Sequence, residues 1–420
     1  MSSAPGAGPA RQTEIYLAGV RGRRPGLPLD HRKLERKARA RMSPQAFAYV
    51  AGGAGSERTI AANRAAFDRR RIVPRVLRDV SGRDLSVELL GRRLPTPFLL
   101  APIGVLELAH RDSDLAVARA AAAEGVPMIF SNQASRPMEE CAAAMGGSPR
   151  WFQLYWSSSD DLVVSFLRRA EACGCGAIVV TLDTKILGWR ARDLELAHLP
   201  FATGMGIAQY TSDPVFRGLV DPSAVERSGP PTPAAVRALV RATRSYPGSF
   251  RDNLRSGAGV AAVRKVMEIY SRPSLTWDDF AWLRERTTLP IVLKGILHPD
   301  DARLAVEHGL DGIVVSNHGG RQVDGAIASL DALPDVVQAV DGRIPVLFDS
   351  GVRTGADAFK ALALGAAAVL LGRPYVYGLA LRGEQGVRDV IRNAVADFDL
   401  TMALSGCRTV ADIRPECLDD

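Results

Sequence analysis

Eight short apolar runs, each followed by enough chain for a helix, constrain this protein more than any other feature. They are Pro97–Ile103, Pro127–Asn132, Arg150–Trp156, Ala177–Asp183, Pro290–Ile296, Gly312–His318, Pro345–Gly351 and Ala367–Arg373. Inside them AIVV, PIVLKGI, GIVVS and AAVLLG are apolar almost throughout rather than at alternate positions. A parallel strand covered on both faces needs that pattern. Amphipathic stretches lie between the runs at Asp112–Glu124, Asp160–Ala172, Pro299–His308 and Thr354–Leu364. Ser157, Ser158 and Ser159 offer N-caps to the second, Pro299 opens the third, and Gly309 and Gly365 close the last two. Strand alternating with helix gives βα units, and eight units predict an α/β fold, the closed (β/α)8 TIM barrel.

A plain barrel takes about 250 residues, and this chain has 420. Residues 30–80 read as an N-terminal helical extension, with Pro44 after Ser43 as a helix start. The largest excess runs from Arg190 to Pro273, after the fourth strand. It is rich in Gly, Pro, Ser and Arg, with one predicted helix at Pro233–Arg244. A loop that long in a compact domain serves as a lid or stays disordered. Above the C-terminal mouth of a barrel it is expected to be a lid, spanning about 190–273. The Gly, Ala, Pro and Ser of Met1 to Ala10 lack the charged start and apolar run of a signal peptide. Residues 1–30 are expected as a flexible tail and 31–420 as one barrel domain.

Composition removes several classes of function. With 47% hydrophobic and 24% charged residues, the chain is neither collagenous nor wholly disordered. It has no run of eighteen apolar residues, so no transmembrane helix and no membrane partner are expected. Five cysteines, with Cys173 and Cys175 as the one close pair, do not match a zinc spacing. They read as idle thiols of a reducing compartment, by default the cytoplasm, and no metal is expected. The net charge of +7 comes from scattered cations, of which only six of 53 are Lys. That is a weak nucleic-acid signal, and no nucleic-acid partner is expected. A positive field still favours small anionic substrates.

Polar residues at the C-terminal ends of barrel strands face the pocket. The most unusual such stretch is Ser316 to Gln322, SNHGGRQ. His318 can act as a base near neutral pH, and Arg321 can grip a carboxylate. A histidine at a strand end is also commonly a hydrogen-bonded structural residue. Asp349-Ser350-Gly351-Val352-Arg353 and Gly372-Arg373 follow strands seven and eight, where such barrels commonly bind phosphate. A phosphate-tailed ligand follows, FMN or a sugar phosphate. Lys294 inside PIVLKGI needs a partner: a buried carboxylate such as Asp349, a flavin, or both. Gln153, Tyr155, Thr181, Asp183 and Arg190 lie at the ends of strands three and four.

SNHGGRQ, with FQLYW, VVTLDT, LKGI, FDSGVRTGADAFKALALGA and LGRPYVYGLA, resembles the signature of the FMN-dependent α-hydroxy-acid oxidases and dehydrogenases. The resemblance runs from about Ser43 to Ser405. APIGV, TLDTKILGWRARDL, QYTSDPVF and HPDDAR are similar to the lactate 2-monooxygenase branch. The resemblance implies FMN as cofactor, a 2-hydroxy acid and O2 as partners, and a homotetramer or homo-octamer. By it, His318 is the base, Asp183 its carboxylate partner, and Tyr155 the hydroxyl at the substrate oxygen. Tyr49, Arg190 and Arg321 are substrate ligands. Pro102, Ile103, Gly104, Ser131, Gln153, Thr181, Lys294 and Ser316 line the ring and ribityl chain. Asp349, Ser350, Gly351, Arg353, Gly372 and Arg373 hold the ribityl–phosphate end.

The chain departs from the commoner family pattern in four places. Gly104 replaces Ala and is expected to leave space beside flavin N5. Ile103 replaces Thr. Asn132 and Gln133 stand where an aromatic often follows. Ser350 replaces Gly and is expected to change little. The expected reaction is oxidation of a lactate-like L-2-hydroxy acid by O2, with or without decarboxylation. The alternatives are a dehydrogenase feeding a quinone or cytochrome, and an oxidase of a larger acid such as mandelate.

Overall fold

The computed structural model describes residues 6–224 and 232–419. Eight parallel strands close into a barrel in chain order. They are β1 (Phe98–Leu100), β2 (Met128–Phe130), β3 (Arg150–Leu154), β4 (Ile178–Thr181), β5 (Ile291–Ile296), β6 (Gly312–Val315), β7 (Val346–Phe348) and β8 (Ala368–Leu371). Closure comes from β8 against β1, with Val369 opposite Phe98 and Leu371 opposite Leu100. Each strand lies inside its expected run. Alternation along the strands divides the core. Leu99, Ile129, Val179, Val292, Val314, Leu347 and Leu370 fill the barrel interior. Phe98, Leu100, Phe130, Val180, Leu293, Val315 and Phe348 belong to the core beneath the helices. A hairpin of Val87–Leu89 and Arg92–Leu94 adds Leu89 and Leu94 to the interior cluster.

The ladders stop earlier than the apolar runs. β6 ends at Val315 and β7 at Phe348. Beyond them His318 (φ 57°) and Ser350 (φ 81°) take left-handed backbone that leaves the sheet. These strand ends build a pocket instead of extending a ladder.

The N-terminal helices are α1 (Ala7–Val20), α2 (His31–Arg41), α3 (Pro44–Ala51) and α4 (Arg58–Arg69). The outer ring follows as α5 (Ser113–Ala123), α6 (Met138–Met145) and α7 (Asp160–Ala172). Ser159 Oγ caps α7 by accepting from Leu162 N–H, as the serine run predicts. The insertion supplies α8 (Ala191–Glu195), α9 (Ala208–Thr211), α10 (Pro214–Leu219), α11 (Pro233–Ser245), α12 (Phe250–Ser256) and α13 (Ala258–Ile269). The ring resumes with α14 (Asp279–Arg284), α15 (Pro299–Glu307), α16 (Ser329–Val340), α17 (Gly355–Ala363) and α18 (Arg373–Leu404), which is broken at Arg382 and Gly383. A full capping box between Thr354 and Asp357 starts α17.

Two expectations change. The flexible tail over 1–30 is replaced, from Ala7 to Val20, by α1 packed on α18. The small residues that read as a tail permit that contact. A Cβ on Gly8 would lie 2.5 Å from Leu400 Cγ and 2.8 Å from the Ala396 carbonyl. Buried Asp399 joins the two helices, accepting from Gly8 N–H at 2.7 Å and from Arg83 Nε at 2.5 Å. The part of the expectation that covers Met1–Pro5 lies outside the described residues. In the insertion the expected helix over 233–244 is α11, but five more α-helices accompany it among the described residues. Most are shorter than two turns, too short to be stable without tertiary support. Support comes from α7, where Arg169 Nη1 and Ser165 Oγ donate to Asp213 Oδ2 at 3.0 and 2.7 Å. Residues 225–231 of this segment lie outside the described residues.

Asp399→Ala should strip Arg83 and the start of α1 of their shared acceptor. The expected loss of unfolding free energy is about 3–5 kcal/mol, with selective proteolysis within residues 7–20. An unchanged denaturation midpoint and an uncut α1 would refute this account of the N-terminal packing.

Candidate active site

A cavity of about 1110 Å3, open mouth included, lies at the carboxyl ends of the strands. Its wall gathers Pro102, Ile103 and Gly104 after β1, Ser131 after β2, Gln153 and Tyr155 from β3, and Arg190 before α8. It continues with Lys294 from β5, His318 and Arg321 after β6, then Asp349, Ser350, Gly351 and Arg353 after β7. Gly372 and Arg373 after β8 and Tyr49 of α3 complete the set. The other three candidates, Thr181, Asp183 and Ser316, stand behind the wall and hold residues that line it.

Asp183 Oδ1 lies 2.7 Å from His318 Nδ1. Nδ1 is therefore the protonated nitrogen of the neutral ring, and Nε2 is the one left to accept a proton. Burial would raise the Asp183 carboxyl, but His318 and Lys294 outweigh it and hold it at about 2. Burial lowers the His318 pKa below its ordinary value, with Lys294 and Arg190 acting the same way and Asp183 opposing. The pair can take up a proton and stabilise it once taken.

Lys294 Nζ lies 3.2 Å from Asp349 Oδ2 and donates to Ser316 Oγ at 2.8 Å. It pairs with Asp349, as one reading expects, and it also lines the cavity. Burial works against its charge, but Asp349 and Asp183 raise its pKa. Ser316 Oγ also accepts from His318 N–H at 3.1 Å. Gln153 bridges three strand ends: its Oε1 accepts from Ser131 Oγ at 3.1 Å and its Nε2 donates to Thr181 Oγ1 at 3.0 Å.

Ser350 is more consequential than expected. Its hydroxyl accepts from Gly319 N–H at 2.9 Å and Asn317 N–H at 3.3 Å, and donates to Asp349 Oδ1 at 2.8 Å. It ties the histidine loop to the partner of Lys294, in a backbone conformation that favours glycine.

Arg190, Arg321, Arg353 and Arg373 have no carboxylate within ion-pair distance among the described residues. Carbonyl oxygens hold all four instead, Arg190 donating to Arg321 O at 3.4 Å and Gln322 Oε1 at 3.0 Å and Arg353 to Val352 O at 3.0 Å. Arg321 donates to Tyr49 O and Gly52 O and lies over the Tyr49 ring, 5.0 Å from its centroid. Arg373 donates to Val50 O at 3.0 Å, Gly52 O at 2.9 Å and Gly319 O at 2.9 Å. Val50 and Gly52 lie at the carboxyl end of α3, where free carbonyls and the helix dipole favour cations. Burial lowers Arg321 to about 9, with Arg190 and Arg373 adding to it, and Arg353 to about 10, with Arg373 and Arg64 adding to it. Such a site attracts anions: Arg190 and Arg321 suit a carboxylate, and Arg353 and Arg373 suit a phosphate.

The front of the cavity departs from expectation. Gly104 does not leave a void. A Cβ there would lie 2.7 Å from Gln133 Cβ and 2.9 Å from the Gln133 carbonyl, so glycine permits the 131–134 turn to pack against it. The sequence reading missed Leu187, Phe201 and Tyr270, which also line the cavity. All three follow β4, in or beside the insertion, and carry no motif. The one available signal was an aromatic residue inside an otherwise polar segment. It also missed Asn63 of α4, whose carboxamide exchanges two hydrogen bonds with Asn317, at 2.8 and 2.7 Å.

Comparison with known proteins agrees with this geometry. The family described as FMN-dependent dehydrogenase matches residues 38–420. The FMN-dependent alpha-hydroxy acid dehydrogenase qulF of Penicillium citrinum is 44% identical over 408 residues, covering 97% of this chain and 94% of its own. An L-lactate oxidase of Lysinibacillus sphaericus is 40% identical over 401 residues, covering 96% and 95%. A crystal structure of mandelate oxidase superposes with a TM-score of 0.75 at 36% identity, over 93% of this chain and 98% of that one.

Ser350→Ala keeps the strained backbone and leaves the Gly319 N–H without its acceptor, while the Asn317 N–H keeps Ser329 Oγ at 3.0 Å. Its unfolding free energy should fall by about 1–3 kcal/mol. Ser350→Gly should recover about 1 kcal/mol of that by relaxing φ. Urea denaturation of both variants checks the order, and equal stabilities would refute it.

Proposed function

The chain belongs to the FMN-dependent dehydrogenase family that oxidises α-hydroxy acids, and on that premise we propose that it oxidises a small L-2-hydroxy acid, L-lactate being the reference, with O2 as acceptor. The observation that carries this reading is one cavity wall on which a carboxylate-backed imidazole, His318, stands beside two arginines without carboxylate partners. FMN fits the rest of the cavity. Arg353 and Arg373 would hold its phosphate, Lys294 the electron-rich edge of its ring, and Ser131 and Gln153 the polar rim, with Thr181 holding Gln153 from behind. Bound there, FMN supplies the two-electron acceptor that no side chain can provide.

The residues divide the remaining work. Arg190, Arg321 and the Tyr49 hydroxyl hold the substrate carboxylate. His318 Nε2 takes a proton from the substrate, and Asp183 stabilises the imidazolium that forms. The Tyr155 hydroxyl orients the substrate oxygen. Lys294 offsets the negative charge that accumulates as electrons leave the substrate. Phe201 and Tyr270 cover the cavity from the insertion, which acts as a lid that limits water. If the keto acid stays enclosed until peroxide reaches it, lactate and O2 give acetate, CO2 and water. If it leaves first, the products are pyruvate and hydrogen peroxide. The insertion favours the enclosed outcome. For the dehydrogenase alternative, no helix among the described residues is long and apolar enough to cross a membrane.

His318→Ala should retain the flavin absorption bands while anaerobic bleaching by L-lactate slows by about 10²–10⁴-fold. Retained fast bleaching would remove His318 from its role. The pH profile of kcat/KM provides a second check. Because burial lowers the His318 pKa, the neutral base persists further as pH falls, and the acid limb should be centred below the ordinary histidine value of about 6.5. An acid limb centred above pH 7 would contradict this.

A further inference from the structure

In sequence the cysteines that stand together are Cys173 and Cys175, but the fold brings a different pair into contact. Cys407 Sγ lies 4.0 Å from Cys417 Sγ, and both are free thiols. Each sulfur also lies 3.7 Å from the Asp412 carbonyl oxygen, to which it donates. Backbone on either side holds the contact in place. Cys407 N–H donates to Met402 O at 2.9 Å at the end of α18. Cys417 N–H donates to Arg414 O at 2.9 Å, and its carbonyl accepts from Val73 N–H at 2.8 Å. Leu418–Asp419 then pairs with Arg71–Ile72. Between the cysteines, Asp412 Oδ2 accepts from Arg408 N–H at 2.9 Å and Thr409 N–H at 2.8 Å, which keeps the intervening chain folded back on itself. Two thiols held in contact react with each other far faster than with thiols in solution.

The pair is asymmetric. Cys407 is 1% exposed, whereas Cys417 is half-buried. An oxidant arriving from solvent therefore meets Cys417 first. Burial and the neighbouring thiol hold the Cys407 pKa above its ordinary value, so Cys407 keeps its proton until a partner sulfur is ready to be attacked. Cys141, Cys173 and Cys175 are buried, and burial raises the pKa of each, which disfavours the reactive thiolate.

We propose that Cys407 and Cys417 form an oxidation site at which a hydroperoxide converts the two thiols into a disulfide across the carboxyl-terminal turn. The Cys417 thiolate attacks one peroxide oxygen. An S–O bond forms, the O–O bond breaks, and the departing hydroxide takes a proton to become water. Cys407 then attacks the Cys417 sulfur. The S–S bond forms, the S–O bond breaks, and the hydroxyl leaves with the Cys407 proton as a second water. Each sulfur gives up one electron, and the peroxide is reduced to two waters. Hydrogen peroxide is a product of the reaction proposed above when the keto acid leaves first, and added peroxide drives the step whatever the substrate.

The test exposes the full-length holoenzyme to a few molar equivalents of hydrogen peroxide and reads intact mass and thiols titrated after denaturation. The mass should fall by about 2 Da and two of the five thiols should be lost, both changes reverting with dithiothreitol. Peptide mapping should join the segments that carry Cys407 and Cys417. Cys407→Ser leaves Cys417 without its partner, so it should gain about 16 Da as a sulfenic acid that dimedone traps. Cys417→Ser should keep all its remaining thiols at the same dose. The native result decides the matter even if a variant fails to fold. An unchanged native mass and thiol count, a bond mapped to other cysteines, or a disulfide that still forms in Cys407→Ser would overturn the inference.

Discussion

The active cavity depends on keeping concentrated positive charge buried at the mouth of a barrel without neutralising it. Carboxylate partners for Arg321 and Arg373 would stabilise the apoprotein and fill the positions that anionic ligands need. The fold uses backbone carbonyls instead. The carboxyl end of α3 presents Tyr49, Val50 and Gly52 oxygens to the two guanidinium groups. A carbonyl satisfies an N–H donor while leaving the formal charge intact. The N-terminal helices are thus part of the site, although they lie outside the repeating βα unit.

The same principle separates the two carboxylates from the four arginines. Asp183 is committed to His318 and Asp349 to Lys294. Each pair is tied to the next through serine hydroxyls: Ser316 joins Lys294 to the backbone of His318, and Ser350 joins Asp349 to the backbone of Gly319. Buried charges of opposite sign, in a low dielectric, hold position only when their remaining hydrogen-bonding capacity is met. These hydroxyls meet it. The strained backbone at His318 and Ser350 is held by this network and directs the imidazole into the cavity.

On the proposed reading, the insertion after β4 lets the barrel vary its substrate wall without disturbing its chemistry. His318, Asp183, Arg353 and Arg373 stand at or just beyond strand ends, which the closed sheet makes rigid. Leu187, Phe201 and Tyr270 stand outside the barrel strands, in or beside the insertion. Substrate contacts placed there can change while the strand ends keep their geometry.

The sequence by itself determined the barrel and most of the residues around its mouth. Continuous apolar runs at helix-length spacing admit few alternatives, and polar residues at their C-terminal ends must face one pocket. His318, Lys294, Arg353 and Tyr155 are legible for that reason. Tertiary structure decided what depends on approach between distant segments. A string of small residues at the N-terminus reads locally as a tail, and only the fit of Gly8 against α18 makes it a helix. Gly104 reads locally as empty space, and only the arrival of Gln133 fills it. Ser350 reads as a neutral exchange until its hydroxyl meets two N–H groups of another loop. Spacing and composition record what each segment prefers alone, whereas these contacts arise between segments, where sequence separation carries no distance.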